Sequence, residues 1–410
     1  MAEFLTLLPP QEALQFLMDK LHATPAEEII PAAESLGRVT SQAVIAPYAL
    51  PSFRRSTVDG YAVRAGDTHG ANESLPAYLK LAGEISMGAA PIFSLQPGFC
   101  GLIHTGGMLP EGADAVVMVE VTQLSLEDEV EIFKAVAAGE NVLQIGEDIG
   151  AGDEVIAPGT VLRAAEIGGL MALGITQIPA VRRPRVGIIS SGDEVVAPEQ
   201  DLQPGQVRDV NTYTLQALVA QSGGAPRSYG IVPDNFEDML AKFLQAKDEC
   251  DLVVITAGSS ASARDMTSRV IDAGGSPGVL VHGVNVRPGK PTILGLCDGI
   301  PVIGLPGNPV SALVIAGIFV VPVIHRLLGI NAPLVNNQVS ANLSLNLSSQ
   351  AGREDWVAVR LTRLGDGYLA DPVFGKSNLI FTLAKADGLI CIPASANGLQ
   401  AGSRVEVHLF

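Results

Sequence analysis

The chain has 410 residues, of which 47% are hydrophobic, and its formal net charge is −17. The length suffices for about three domains of ordinary size, each with its own apolar core. A strongly acidic chain lacks the basic face that nonspecific nucleic-acid binding requires, so we expect no nucleic-acid partner. A local basic cluster can still bind a small anion, because salt screens the repulsion from acidic residues more than about 10 Å away.

The elements predicted from the sequence change in character along the chain. Residues 9–22 have apolar side chains at helical spacing. Residues 34–160 are rich in Gly, Pro and short alternating runs, typical of an all-β region, and residues 162–175 return to helix. From Arg182, strands alternate with helices, which predicts a parallel sheet with ligands beyond its carboxyl ends. After Gly329, short alternating strands predict a small barrel or sandwich.

One stretch, residues 310–328, is nearly as apolar as a membrane span. It is interrupted by Pro322, His325 and Arg326, and its uninterrupted part is shorter than the ~20 residues that a span needs. We therefore predict a buried or subunit-interface helix and no membrane association. The N-terminus has no basic segment followed by an apolar core, so we expect no signal peptide.

The four cysteines are far apart in the sequence and form no CxxC or Cys/His pair. The spacing therefore indicates neither a zinc site nor a disulfide framework. It favours reduced, buried thiols in a cytoplasmic protein.

Two Gly/Pro loops carry the strongest functional signal. The first, RPGKPT, follows an apolar run and contains Arg287 and Lys290; the second, LPGNPVSA at 305–312, opens into the apolar helix. A strand, a Gly-rich loop and a helix N-terminus together favour an anion site. RPGKPT is not a P-loop, because Val284 stands where that motif needs glycine. A solvated lysine and a purely structural turn are the alternatives.

Two further loops follow apolar strands. In SSGDEV, Asp193 and Glu194 could hold Mg²⁺ against substrate oxygens or form a turn and helix cap. The TAGSSASARD loop, residues 256–265, offers hydroxyl groups, backbone N–H groups and a carboxylate to an oxyanion, or is an ordinary loop. In the β-rich region, STVDGYAV, HTGG with LPEGADAVV, and GEDI are either functional patches or plain turns.

Taken together, the segments STVDGYAVR, HTGGMLPEGADAVV, GEDI, RVGIISSGDEV, PGKPTILG and GLPGNPVSA resemble the molybdopterin molybdenumtransferase family, called MoeA, and the related E-domain of gephyrin-type proteins. The six motifs occur in the family's order with similar spacing. The resemblance implies an enzyme that inserts molybdate into adenylylated molybdopterin, releasing AMP and molybdenum cofactor, with Mg²⁺ required. It also implies a cytoplasmic homodimer with the active cleft between subunits, and the molybdopterin adenylyltransferase as a partner enzyme.

The resemblance further implies a multidomain α/β plus β fold. Its four parts are a discontinuous linker domain (1–28 and 150–180), a β-rich lid domain (29–149), a central doubly wound, MogA-like molybdopterin-binding domain (181–329) and a C-terminal β-barrel (330–410).

Candidate site residues are carried over motif by motif. The expected catalytic residues are acidic: Asp59, Asp148, Asp193, Glu194, Asp234 and Asp265. The expected metal ligands among them are Asp193, Glu194 and Asp265. The expected substrate-binding residues are Thr105, Gly258, Ser259, Ser260, Arg287, Lys290, Pro306, Gly307, Asn308, Pro309, Arg353 and Ser377. Arginine suits a bidentate oxyanion contact and lysine a point-charge contact.

Some positions depart from the family's pattern. Ala257 and Ser262 stand where glycine is usual, and Arg287 replaces a lysine. Side chains at the first two positions restrict a backbone that would otherwise approach a ligand closely. These departures motivate an alternative hypothesis, a non-catalytic paralogue that binds molybdopterin or molybdate as a carrier, sensor or scaffold.

Overall fold

The computed structural model describes residues 7–125, 128–257, 261–330 and 337–410, without the side chains of 261–264. Its helices are α1 (Pro10–Lys20), α2 (Ala164–Ala172), α3 (Asn211–Gln221), α4 (Phe236–Glu249), α5 (Ala261–Ala273), α6 (Pro309–Ile315), α7 (Val321–Leu327) and α8 (Phe381–Ala384), with 3₁₀ turns at Ala32–Glu34, Ala65–Thr68 and Val119–Val121.

The strands of the first part of the chain are β1 (Glu27–Pro31), β2 (Val44–Ile45), β3 (Arg55–Ser56), β4 (Gly60–Val63), β5 (Ala77–Glu84), β6 (Phe99–Ile103), β7 (Ala115–Met118), β8 (Thr122–Leu124), β9 (Glu129–Ile132), β10 (Val142–Leu143), β11 (Glu154–Ile156) and β12 (Gln177–Val181).

The remaining strands are β13 (Arg185–Ser191), β14 (Val195–Val196), β15 (Val207–Arg208), β16 (Ala225–Val232), β17 (Leu252–Ala257), β18 (Pro277–His282), β19 (Val286–Arg287), β20 (Ile293–Cys297), β21 (Ile300–Pro306), β22 (Gln338–Leu343), β23 (Leu347–Ser348), β24 (Glu354–Leu364), β25 (Gly367–Pro372), β26 (Gly388–Ile392), β27 (Gly398–Leu399) and β28 (Arg404–Leu409).

The chain divides into two compact units. The first contains 1–42, 159–163 and 179–410, and the second contains 43–158 and 164–178. The four domain boundaries proposed from the sequence stay a prediction. Helices α1 and α2 lie within the stretches where helical spacing predicts them.

The second unit is β-rich, as its alternating runs predict. Its main sheet has the strand order β7-β4-β6-β5-β9-β8. Strand β4 is buried along its whole length between β6 and β7. Its first residue, Gly60, has no room for a side chain, because a Cβ atom there would lie 1.9 Å from the carbonyl oxygen of Val117. The glycine of the STVDGYAV segment is thus required by packing.

The first unit has a six-stranded central sheet in the order β16-β13-β17-β21-β20-β18. Strands β16, β13, β17 and β21 are mutually parallel, and helices α3, α4 and α5 connect or flank them. The sheet has one antiparallel edge beside its predicted parallel part, where β20 runs antiparallel to both of its neighbours. No helix intervenes between β18 and β21, and a parallel connection needs such a crossover.

The apolar stretch forms one helix from Pro309 to Leu327, with a π turn at Ala316–Val320. It is the one helix in the described ranges that is long and apolar enough to cross a bilayer, and 56% of an 18-residue apolar stretch of it is buried inside the structure. Phe319 and Ile315 are fully buried in the largest apolar cluster, beside the central sheet. The prediction of a buried helix is confirmed for the face that carries Ile315 and Phe319.

The C-terminal strands close into a five-stranded barrel. The order β24-β25-β22-β28-β26 returns to β24 through a β24–β26 pairing, so the barrel alternative is confirmed over the sandwich. Strand β19, from the connection between β18 and β20, pairs in parallel with the start of β24. This pairing places the RPGKPT loop next to the barrel.

Candidate functional site

The two Gly/Pro loops lie at the same edge of the central sheet. Strand β21 ends at Pro306, and β20 begins at Ile293, directly after RPGKPT, with Ile293 opposite Gly304 in the ladder. The carboxyl ends of β13 and β17 lie at this edge as well, because both run parallel to β21. Ligands of open α/β sheets bind at such an edge.

A cleft of about 1140 Å³ opens between these loops and the barrel, entirely within the first unit. Its walls are the RPGKP loop, the turn after β21, the start of β24 and the segment from Val373 to Leu383. Among the described residues that line it, the charged ones are four bases and one acid: Arg287, Lys290, Arg353, Lys376 and Asp355. A chain with a net charge of −17 therefore has a cleft lined by an excess of positive charge.

Lys290 is held by the backbone of its own loop. The N–H of Val284 donates to the Lys290 carbonyl at 2.9 Å, and the fully buried Thr292 hydroxyl donates to the Gly289 carbonyl at 2.6 Å. The Lys290 side chain is exposed and has no ion-pair partner within the described ranges. Its charge is therefore available to an anion in the cleft.

The turn after β21 is tied to the segment that follows the barrel strand β25. Asn308 Nδ2 donates to the hydroxyl of Ser377 at 3.0 Å, and the N–H of Val310 donates to the Ser377 carbonyl at 3.0 Å. Asn211 Nδ2 donates to the Gly307 carbonyl at 2.8 Å. Asn308 directly precedes the helix, and its side chain makes no capping bond because it is directed to Ser377.

One carboxylate in the cleft was missed by the sequence reasoning. Asp355 is 4% exposed and accepts two hydrogen bonds from Arg353, from Nε at 2.7 Å and from Nη2 at 3.1 Å. Arg287 Nη1 lies 3.7 Å from the same carboxylate. The sequence signal for this contact was the spacing of Arg353 and Asp355 in AGREDW, because residues two apart along a strand lie on the same face.

The structure thus brings into one cleft seven of the residues that the motifs named: Arg287, Lys290, Pro306, Gly307, Asn308, Arg353 and Ser377. Pro309 is the first residue of the helix between two residues that line it. Three further candidates, Gly258, Ser259 and Ser260, lie outside the described residues.

The acidic candidates of the first unit lie near other strand ends and do not line this cleft. The N–H of Asp234 donates to Asp193 Oδ1 at 3.0 Å, and the hydroxyl of Ser191 donates to Asp234 Oδ1 at 2.5 Å. Glu194 and Asp265, the latter in α5, are exposed. No group of three or more His, Cys, Asp or Glu side chains suited to a metal exists among the residues the structure describes.

In the second unit, Asp59 and Thr105 are in contact. The N–H of Thr105 donates to Asp59 Oδ1 at 2.7 Å, and its hydroxyl donates to the same oxygen at 3.1 Å. Both bonds lower the pKa of Asp59 below its ordinary 3.8, and the bond from the backbone N–H has the larger effect. His104 lies between Asp59 and Glu84, with its Nε2 3.0 Å from the Glu84 carboxylate. Asp148 is exposed in the GEDI turn.

Replacing Thr105 by valine is expected to raise the pKa of Asp59 toward 3.8 without reaching it. The variant loses the hydroxyl donor and keeps the N–H, which is the larger cause of the shift. A lowered pKa stabilises the fold above pH 3.8 and this contribution is lost as pH falls through the folded-state value, so the wild type should lose stability more steeply on acidification. Carboxyl ¹³C NMR titration measures the shift, with Thr122→Val as a control that leaves Asp59 unchanged.

Comparisons with known proteins agree along the length of the chain. Residues 8–174 match the model of the MoeA N-terminal region (domain I and II), residues 187–326 match a model described as "probable molybdopterin binding domain", and residues 340–410 match the MoeA C-terminal region (domain IV).

Individual relatives give the same result. A molybdopterin molybdenumtransferase 2 of Mycobacterium tuberculosis is 34% identical, over 92% of this chain and 94% of the relative. A molybdopterin molybdenumtransferase of a Nostoc species is 35% identical over 95% and 90%. The crystal structure of a molybdopterin biosynthesis MoeA protein from Pyrococcus horikoshii superposes with a TM-score of 0.87 at 30% identity, covering 99% of this chain and 100% of that one.

Proposed function

Because this chain belongs to the MoeA family of molybdopterin molybdenumtransferases, we propose that it acts in molybdenum cofactor biosynthesis as a transferase that delivers molybdate to molybdopterin. The observation that carries the proposal is the cleft lined by Arg287, Lys290, Arg353 and Lys376 in an otherwise acidic chain. Molybdate and the phosphate of the pterin are both anions, so the cleft has the charge that both require.

The basic residues of the cleft bind an anion in different ways. Lys290 supplies a point charge that can follow a moving oxyanion, whereas Arg353 presents planar N–H donors in a fixed geometry. The N-terminus of the helix that begins at Pro309 lies beside them, and its dipole favours negative charge. These groups orient an anion without a nucleophilic side chain, which suits the transfer of a metal oxide.

We further propose adenylylated molybdopterin as the second substrate, with AMP and molybdenum cofactor as products. The acidic residues Asp193, Glu194 and Asp265 are the proposed ligands of Mg²⁺. Mg²⁺ usually takes one or two carboxylates and completes its shell with water and substrate phosphates, so one or two of these three residues would suffice. When bound, the ion would neutralise phosphate charge.

The remaining parts of the proposal concern assembly and the second unit. Asp59, Asp148 and Asp234 are proposed to act in the reaction, and Thr105, Gly258, Ser259 and Ser260 to bind substrate. We also propose a cytoplasmic homodimer with the active cleft between subunits, supplied by the molybdopterin adenylyltransferase. The match to all three MoeA regions supports these proposals.

The proposal is tested with the purified full chain, adenylylated molybdopterin, molybdate and Mg²⁺. We expect AMP to be released and the product to restore activity to a molybdenum-free apoenzyme. Tight binding of the pterin without AMP release would favour the carrier, sensor or scaffold hypothesis over the enzyme. Absence of pterin binding would contradict both.

A further inference from the structure

We propose that Asp355 is a positioning residue, which holds the guanidinium group of Arg353 ready for the oxyanion and links it to Arg287. This inference rests on the proposed function and names a residue that the sequence motifs did not assign. The observations that carry it are the burial of the carboxylate, the geometry of its two arginine contacts and the location of both arginines in the cleft wall.

Asp355 is nearly inaccessible, with 4% of the residue exposed. A buried carboxylate without compensation is costly, so its charge ties its partners to a fixed place. Arg353 binds it through Nε and Nη2, at 2.7 and 3.1 Å, which occupies one side of the guanidinium plane. The N–H groups of Nη1 and the second N–H of Nη2 remain for another acceptor.

This arrangement suits an oxyanion better than a free arginine does. The end of the guanidinium that carries Nη1 and Nη2 can donate two parallel hydrogen bonds to a tetrahedral oxide while the Nε side stays on Asp355. An arginine held in this way loses less rotamer entropy on binding than a mobile one. Asp355 therefore acts on the anion through Arg353.

Asp355 also joins two separate segments of the chain. Val286–Arg287 pairs in parallel with the start of β24, and this register sets Arg287 opposite Asp355. Arg287 Nη1 lies 3.7 Å from Asp355 Oδ2, and its side chain is 66% exposed. The carboxylate thus keeps a second, more mobile arginine at the same wall of the cleft.

The chain contains a matched pairing far from the cleft. Asp251 accepts two bonds from Arg182 Nη2, at 2.8 and 3.0 Å, and lies 3.8 Å from Arg185 Nε. It precedes β17, at the edge of the sheet opposite the cleft. A purely structural role for Asp355 would resemble that of Asp251.

The test measures inorganic molybdate binding to the full chain by isothermal titration calorimetry, together with the thermal midpoint. Asp355→Asn keeps the shape and removes the charge, and we expect the Kd for molybdate to rise about tenfold, a change of about 1.4 kcal/mol. Asp251→Asn should lower the thermal midpoint and leave the Kd unchanged. In an Arg353→Lys background, Asp355→Asn should have little further effect on the Kd, because the residue acts through Arg353.

Asp355→Glu retains the buried charge if the asparagine variant fails to fold, and it displaces the carboxylate by one methylene group. We expect its Kd to rise by about threefold, since misplacement of a binding group weakens it. A normal Kd in the folded Asp355 variants, or equal effects with Arg and Lys at 353, would overturn the inference while leaving the proposed function intact. A wild-type protein that binds no molybdate would instead contradict the proposed function and the inference together.

Discussion

Replacing Gly289 by alanine is expected to destabilise the fold by roughly 2–5 kcal/mol and to disrupt the loop that carries Lys290. Gly289 has φ +116, which L residues rarely adopt, and a Cβ atom there would lie 2.2 Å from Cγ1 of Ile315. Ile315 is fully buried in the largest apolar cluster and cannot move aside easily. The loop would have to shift, so molybdate affinity should fall together with stability.

Chemical denaturation and molybdate calorimetry measure these two effects. The matched control is Gly299→Ala, also at positive φ, where a Cβ atom would meet nothing within 4 Å. It reports backbone strain without the clash, and we expect it to leave molybdate binding unchanged.

A second control removes the side chain of Ile315, with which the new methyl group would clash. Ile315→Ala is itself expected to cost about 2–5 kcal/mol through the cavity it leaves. The double variant with Gly289→Ala should be less destabilised than the sum of the two single changes, because the new methyl group occupies part of that cavity. Additive effects would show that the close approach of Gly289 to the helix is not what fixes the loop.

Local patterns in the sequence were sufficient to predict the helices and strands of this fold and the order of its α/β and β-rich regions along the chain. Helical spacing placed α1 and α2, apolar runs between helices placed the strands of the central sheet, and alternating short runs placed those of the barrel. Binary patterning reports which face of an element is buried, so it works wherever burial decides the structure. The same patterning carries no strand direction, so the antiparallel edge formed by β20 could not be predicted from it.

The sequence was sufficient to predict which loops form the candidate site. It was less informative about which side chains contact each other there. The Gly/Pro frames around Lys290 and Gly307 are local, and the structure places both in one cleft. The partner of Asn308 is Ser377, which lies 69 residues away, so local spacing could not identify it. Long-range partners depend on tertiary packing that one sequence does not encode in its spacing.

The missed carboxylate has a similar explanation. A buried aspartate is unusual unless it is paired, and the partners of Asp355 come from its own strand and from the RPGKPT loop. The sequence showed only that Arg353 and Asp355 are two residues apart. The pairing of β19 with β24, which brings Arg287 to the same carboxylate, is visible only in the fold.

Replacing Lys290 by alanine is expected to weaken molybdate binding by about 1.5–3 kcal/mol, the range for a hydrogen bond to a charged group. Lys290 lies in the cleft wall without an ion-pair partner among the side chains that the structure describes, so its removal frees no buried carboxylate. Its side chain is exposed, and the thermal midpoint should therefore change little. Binding and stability would then separate, in contrast to Gly289→Ala.

Lys290→Arg and Lys385→Ala sharpen this prediction. Arginine keeps the charge and should restore part of the affinity, whereas Lys385 is an exposed lysine that does not line the cleft and should be neutral to binding. The loss in Lys290→Ala should also shrink as ionic strength rises, since added salt screens an exposed charge. An affinity that Lys290→Ala leaves unchanged would identify Lys290 as a solvated surface residue, and the anion would then have to be held by the other basic side chains of the cleft, Arg287, Arg353 and Lys376.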